Sequence, residues 1–119
     1  MREIKFRAWG KNSKEFLSPD GKTFGLTLKE IQNIEDINIW EFQQFTGLKD
    51  KNGKDIYEGD IVKYKFYMLS GVDYVIFREG KFELKNDYIN SVGFRSVSNV
   101  SEYCEVIGNI FENKDLLNK

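Results

Sequence analysis

Residues 44–62 constrain this chain more than any other stretch. Asn52-Gly53 lies between two charged, alternating arms, Leu48-Lys49-Asp50-Lys51 and Lys54-Asp55-Ile56. Such a pattern specifies a β-hairpin. Two registers compete. A two-residue loop sets Lys51 against Lys54 and Asp50 against Asp55, and like charges directly opposite destabilise strand pairing. A three-residue loop, Lys51-Asn52-Gly53, sets Asp50 against Lys54, Lys49 against Asp55 and Leu48 against Ile56. Charges then attract and apolar groups meet. Asp at the first turn position and Gly at the fourth also suit a type I turn ending in a left-handed glycine. The three-residue loop is predicted, with Gly53 at positive φ. Glu58-Gly59 reads as a second tight turn. Asp60 then opens a strand rich in β-branched and aromatic residues, a pairing common in small SH3-like barrels.

The flanking segments are also mostly strand-like. Ile4 to Trp9 alternates apolar and charged residues, with Ile4, Phe6 and Ala8 expected in the core. Residues 10–14 read as a turn, Glu15 to Leu17 as a returning strand, and Ser18-Pro19-Asp20-Gly21-Lys22 as a turn. Thr23 to Thr27 reads as another short strand. Leu28 to Asp36 carries apolar residues at helical spacing, with Thr27 and Glu30 placed as a capping box. Strand character returns from Ile37. Asp60 to Leu69 should expose Lys63 and Lys65 on one face and bury Val62, Tyr64 and Phe66 on the other, with Ser70-Gly71 turning it. A two-residue loop at Glu79-Gly80 pairs Phe77 with Phe82 and Val75 with Leu84, at the cost of Arg78 opposite Lys81. Asn86 to Asn99 reads as a long loop. Glu102 to Phe111 reads as a last strand, and Asn113 as the cap of a final helical turn.

At 119 residues, with 40% hydrophobic and 15% aromatic residues, the chain suits one compact domain. A net charge of −1 gives no general attraction to nucleic acid or anionic membrane. The single cysteine, Cys104, excludes an intramolecular disulfide and points to a reducing compartment. No apolar run has the length of a membrane span, and the first residues are not those of a signal peptide. A cytoplasmic location is expected. The absence of histidine removes Ser-His and Cys-His nucleophiles and ordinary zinc sites.

Asp50, Asn52 and Asp55 superficially resemble a calcium loop. Glycine stands at the wrong position for an EF-hand, and Lys49, Lys51 and Lys54 would oppose a cation. Asp55, Glu58 and Asp60 have the chemistry of an acid/base pair, yet charged residues beside turns are ordinarily solvated. No catalytic, cofactor or metal residue is assigned.

Three blocks carry a family likeness: Ile4 to Trp9, Phe45 to Val62 and Glu105 to Asn113. In these the chain resembles the YopX family of phage and prophage proteins. It departs at Gly10, where an acidic residue is usual, and at Phe45 and Phe111, which replace usual tyrosines. The resemblance implies a mainly β protein: an SH3-like barrel over residues 45–119, with a small N-terminal α+β extension over residues 1–44 that contains one short helix. It implies a phage origin and self-association. It implies no activity.

The leading expectation is a non-enzymatic interaction module that self-associates and binds a host or phage protein in the bacterial cytoplasm. Trp9, Trp40, Tyr57, Tyr64, Tyr67, Tyr74 and Tyr88 would anchor a partner where exposed, although most aromatics are expected in the core. Trp40, Tyr57, Glu58, Asp60, Lys63 and Lys65 are the candidate interaction surface. One alternative is nucleic-acid binding or gene control through Lys63, Lys65, Arg78 and Lys81. Another is a nucleotide-sequestering oligomer.

Overall fold

In the computed structural model, residues 3–17, 26–32, 34, 37–66, 68–86 and 95–118 are described. They form two antiparallel sheets. The first comprises β1 (Phe6–Gly10), β2 (Trp40–Lys49) and β3 (Asp55–Tyr57), in the order β1-β2-β3. The second comprises β4 (Asp60–Phe66), β5 (Leu69–Arg78), β6 (Lys81–Lys85), β7 (Arg95–Ser96) and β8 (Cys104–Asn109), in the order β7-β6-β5-β4-β8. The chain is mainly β, as expected. No closed barrel is found among the described residues, because β7 and β8 stand as the two edges of an open sheet.

The first hairpin adopts the three-residue register. Lys49 lies opposite Asp55, and Lys49 Nζ meets Asp55 Oδ1 at 2.9 Å. The Asp50 N–H donates to the Lys54 carbonyl at 2.8 Å, and Gly53 has φ +81. Further along, the step from Phe45 to Lys49 in β2 is matched by the shorter step from Tyr57 to Asp55 in β3. The extra residues of β2 bulge at Gly47, φ +87, where Thr46 Oγ1 donates to the Ile56 carbonyl at 2.7 Å. The second hairpin also has its expected register, Phe77 with Phe82 and Arg78 with Lys81. Arg78 escapes the like-charge pair by donating from Nε to Glu83 Oε1 at 3.0 Å.

The core lies in the five-stranded sheet. Val62, Tyr64, Val75, Phe82 and Leu84 pack with Ile56, Val97, Val100 and Cys104. Strand alternation along β4 places Val62 and Tyr64 inside and leaves Lys63 and Lys65 exposed. Phe66 is in the strand, but its side chain lies outside the described residues.

Several expected boundaries move. The β4–β5 reversal falls between Phe66 and Leu69, which are paired, and not at Ser70-Gly71, which lie within β5. Gly71 is small there because the Tyr64 ring covers it: a Cβ would stand 2.7 Å from Tyr64 Oη. The region expected as a loop over 86–99 contains β7 and a short helix, α2 (Val97–Val100), whose Val97 and Val100 are buried. Residues 101–103 form a 3-10 turn, so the last strand starts at Cys104. Residues 37–39 are likewise 3-10 and precede β2. The final helical turn, Lys114–Asn118, is 3-10, and Asn113 Oδ1 accepts from the Asn109 N–H instead of capping it.

At the N-terminal side, Trp9 bridges Phe16 and Phe6 bridges Leu26. The turn expected over 18–22 and most of the strand expected over 23–27 lie outside the described residues. Thr27 and Glu30 form the expected reciprocal capping box on a helix that stops earlier, α1 (Leu28–Gln32). The division expected between residues 44 and 45 falls inside β2, whose first half pairs with β1 and whose second half pairs with β3.

Candidate functional site

Arg7 lies in β1, where alternation placed it on the solvent face. The structure corrects that: Arg7 and Ala8 are both buried, while Ile4 is 52% exposed. Arg7 points across to the second sheet. Its Nη1 reaches Asp60 Oδ1, at the start of β4, at 2.6 Å. Nη2 donates to the Glu58 carbonyl at 3.2 Å and Nε to Gln43 Oε1 at 3.2 Å. The guanidinium also lies over the rings of Phe16 and Tyr57, at 4.9 and 5.1 Å from their centroids.

Asp60 is held from its other side by the Tyr57 N–H, 2.7 Å from Oδ2. The tight turn Tyr57-Glu58-Gly59-Asp60 makes that contact, and Gly59 at φ +89 allows it. Burial raises the Asp60 carboxyl against the pull of Arg7 and the Tyr57 N–H. Burial likewise pushes the Tyr57 phenol up to about 12. Burial also raises Glu58. Asp55 goes the other way: burial opposes it, but Lys5 at 2.7 Å and Lys49 hold its carboxyl below the usual carboxylate range.

These groups border a cleft of about 470 Å³ between the two sheets. Arg7, Tyr57, Asp60 and Asn109 are its buried members, and Lys54 and Glu112 its exposed ones. Asn109 closes the far wall, donating from Nδ2 to Glu112 Oε1 at 2.9 Å. Its volume is that of a small-molecule site, typically ~300–1,000 Å³. All lining residues except Phe16 come from the three blocks 4–9, 45–62 and 105–113. Segments far apart in sequence thus meet at one place.

The expected interaction surface does not assemble as one face. Tyr57 and Asp60 are both only 2% exposed and belong to the cleft interior, where Arg7 packs against both. Glu58 and Trp40 are half-buried. Lys63 and Lys65 are exposed but line a different groove. Of the other aromatics, Trp9 and Tyr64 are buried, Tyr74 is half-buried, and Tyr67 and Tyr88 lie outside the described residues. Trp9 stacks on Phe111, with centroids 5.2 Å apart. Sequence reasoning missed Arg7, because its partner stands 53 positions away. The signal available was an arginine set among Phe6, Ala8 and Trp9.

The Asp50 carboxylate is engaged by backbone N–H groups. Its Oδ1 accepts from the N–H groups of Asn52 and Lys54, each at 2.9 Å, and its Oδ2 accepts from the Val106 N–H at 2.9 Å. Among the described residues no group of three or more His, Cys, Asp or Glu side chains is placed to hold a metal ion. No helix among them is long and apolar enough to cross a membrane.

A family model described as YopX protein matches residues 5–118. The crystal structure of protein EF1440 from Enterococcus faecalis is similar, with a TM-score of 0.62 and 27% sequence identity. The match covers 98% of this chain and 99% of that one. Among curated proteins, none matches.

Proposed function

The chain belongs to the YopX family, and from that premise we propose that it is a non-enzymatic interaction module encoded by a phage or prophage. In this reading it works in the bacterial cytoplasm, self-associates, and presents the rest of its surface to a host or phage protein. The five-stranded unit is read as SH3-like: a meander β4-β5-β6-β7 followed by a helical segment, with β8 returning to the outer side of β4.

The observation that carries the reading is the state of α1. This helix of five residues buries none of them, although it contains Leu28 and Ile31. So short a helix has little stability of its own and needs packing to persist. The antiparallel bridge Phe6↔Leu26 sets Ile4 and Leu28 at the same end of the first sheet, and they are 52% and 55% exposed. Charges of both signs surround them at Glu3, Lys29 and Glu30, which suits a self-complementary two-fold contact. A second copy of this chain is the occupant proposed.

Size-exclusion chromatography with light scattering tests it. The wild type should run as a dimer or larger assembly, and Ile4→Asp with Leu28→Asp as a folded monomer. A wild type that stays monomeric at high concentration would overturn self-association. Affinity purification from infected cells, using both forms as bait, tests the partner: a protein retained by both supports a separate partner surface, and an empty eluate counts against it.

A further inference from the structure

A second groove, of about 410 Å³, shares no lining residue with the cleft. Lys63 and Lys65 enter it from the exposed face of β4. Lys51 arrives from the first hairpin turn, which is brought alongside by its N–H donating to the Cys104 carbonyl at 2.9 Å. Tyr103, in the 3-10 turn ahead of β8, adds a ring that is 42% exposed. Tyr64, Glu102 and Glu105 complete the lining, and Glu105 stands opposite Lys63 in register.

Three lysines gather in this groove. Lys5, Lys49, Arg7 and Arg78 each have a carboxylate partner. Lys51, Lys63 and Lys65 make no ion pair among the described residues. Three ammonium groups therefore converge on a concave surface beside an aromatic ring, in a chain whose net charge is −1. Ammonium groups near a stacking platform are the chemistry of nucleotide recognition: cations meet the phosphate and the ring meets the base. The two glutamates fit the same ligand, since a carboxylate accepts a hydrogen bond from an exocyclic amino group, as on cytosine.

We propose that this groove binds a nucleotide, with its phosphate toward Lys51, Lys63 and Lys65 and its base against Tyr103. The ligand is either a free nucleotide or one nucleotide within a single strand. The residues differ from the set expected from sequence. Arg78 and Lys81 are paired at the far end of the β5–β6 hairpin, whereas Lys65 pairs with Ser70 near the other end of β5. At ~3.3 Å per residue that separation is roughly 25 Å. The proposal rests on the groove alone and is independent of self-association.

The test uses the full chain at low salt. Calorimetry would be run with cytidine monophosphate, cytidine triphosphate and uridine monophosphate, and fluorescence anisotropy with a short single-stranded oligonucleotide. Lys63→Gln with Lys65→Gln should weaken binding at least about tenfold, and Tyr103→Ala by a similar factor. These side chains are exposed, so melting temperatures near that of the wild type would verify folding. Arg78→Gln with Lys81→Gln should leave binding unchanged. For the strand, log K should fall with log salt at a slope of about −0.7 for each phosphate neutralised. Binding of mononucleotides alone assigns a free nucleotide, and binding of the oligonucleotide alone assigns the strand. No binding by any probe would overturn the site. So would groove variants that bind like the wild type, or an Arg78/Lys81 control that loses as much.

Discussion

Arg7 and Asp60 stand in different sheets, 53 positions apart, and close the gap between those sheets with a buried ion pair 2.6 Å long. Each is 3% or less exposed as a residue. Removing one partner leaves the other charged in a poorly hydrated place. Arg7→Ala should therefore cost about 3–5 kcal/mol in urea denaturation. Replacing both, Arg7→Met with Asp60→Leu, should cost less than the two single changes combined. Additive losses would show that the pair is not coupled.

Asp50 predicts the response to acid. Burial opposes its ionisation, but the N–H groups of Val106, Lys54 and Asn52 outweigh it and hold the carboxyl below its ordinary value. A group with a lowered folded pKa stabilises above its unfolded value, about 3.9 for Asp, and loses that contribution as pH falls through the folded value. Urea melts at falling pH should show a steep stability loss below about pH 4 in the wild type. Asp50→Asn should start less stable and show a shallower loss.

Two glycines should fail for different reasons. Gly53 has φ +81 and nothing within 4 Å of an added Cβ. Gly53→Ala should cost about 1 kcal/mol through backbone strain, and Gly53→Asn less, since Asn tolerates this region. Gly71 has no such φ, but its Cβ would meet Tyr64 Oη at 2.7 Å. Gly71→Ala should displace Tyr64 from Asp73, its hydrogen-bond partner at 2.9 Å, and cost about 1–3 kcal/mol. Equal losses from Gly53→Ala and Gly53→Asn would reject the strain argument.

Cys104 should be inert while the protein is folded. Burial, together with the Asp50 charge, pushes its thiol up to about 11. A thiol reagent at neutral pH should label it only at the rate of unfolding. A raised folded pKa contributes stability below the unfolded value and loses it toward the folded one. Alkaline melts should therefore decline from about pH 8.5 upward. Rapid native labelling would contradict the burial.

What the sequence made legible was local. The first hairpin could be read because Lys49, Asp50, Lys54 and Asp55 arbitrate between registers within a few residues of one another. The Glu79-Gly80 hairpin and the Thr27–Glu30 box are legible for the same reason. Ser70-Gly71 misled because Gly71 looks like turn chemistry, whereas it is small to admit a ring from the neighbouring strand. α2 escaped notice because Val97 and Val100 give too short a periodicity among polar residues. The cleft was invisible because its members come from three distant segments, and alternation pointed Arg7 outward.

The contact between Asp50 and Val106 spans 56 positions, and the Arg7–Asp60 pair spans 53. Both need loops closed before any reward is gained, and such closures slow folding. During synthesis the hairpin 49–55 can form early, but its carboxylate finds no strand to hold until Cys104–Asn109 has left the ribosome. The arriving last strand then completes the edge of β4 and locks that hairpin in place together. Until β8 pairs, the nascent chain carries an unfinished sheet edge, and that interval is when a chaperone or a sister chain has access to it.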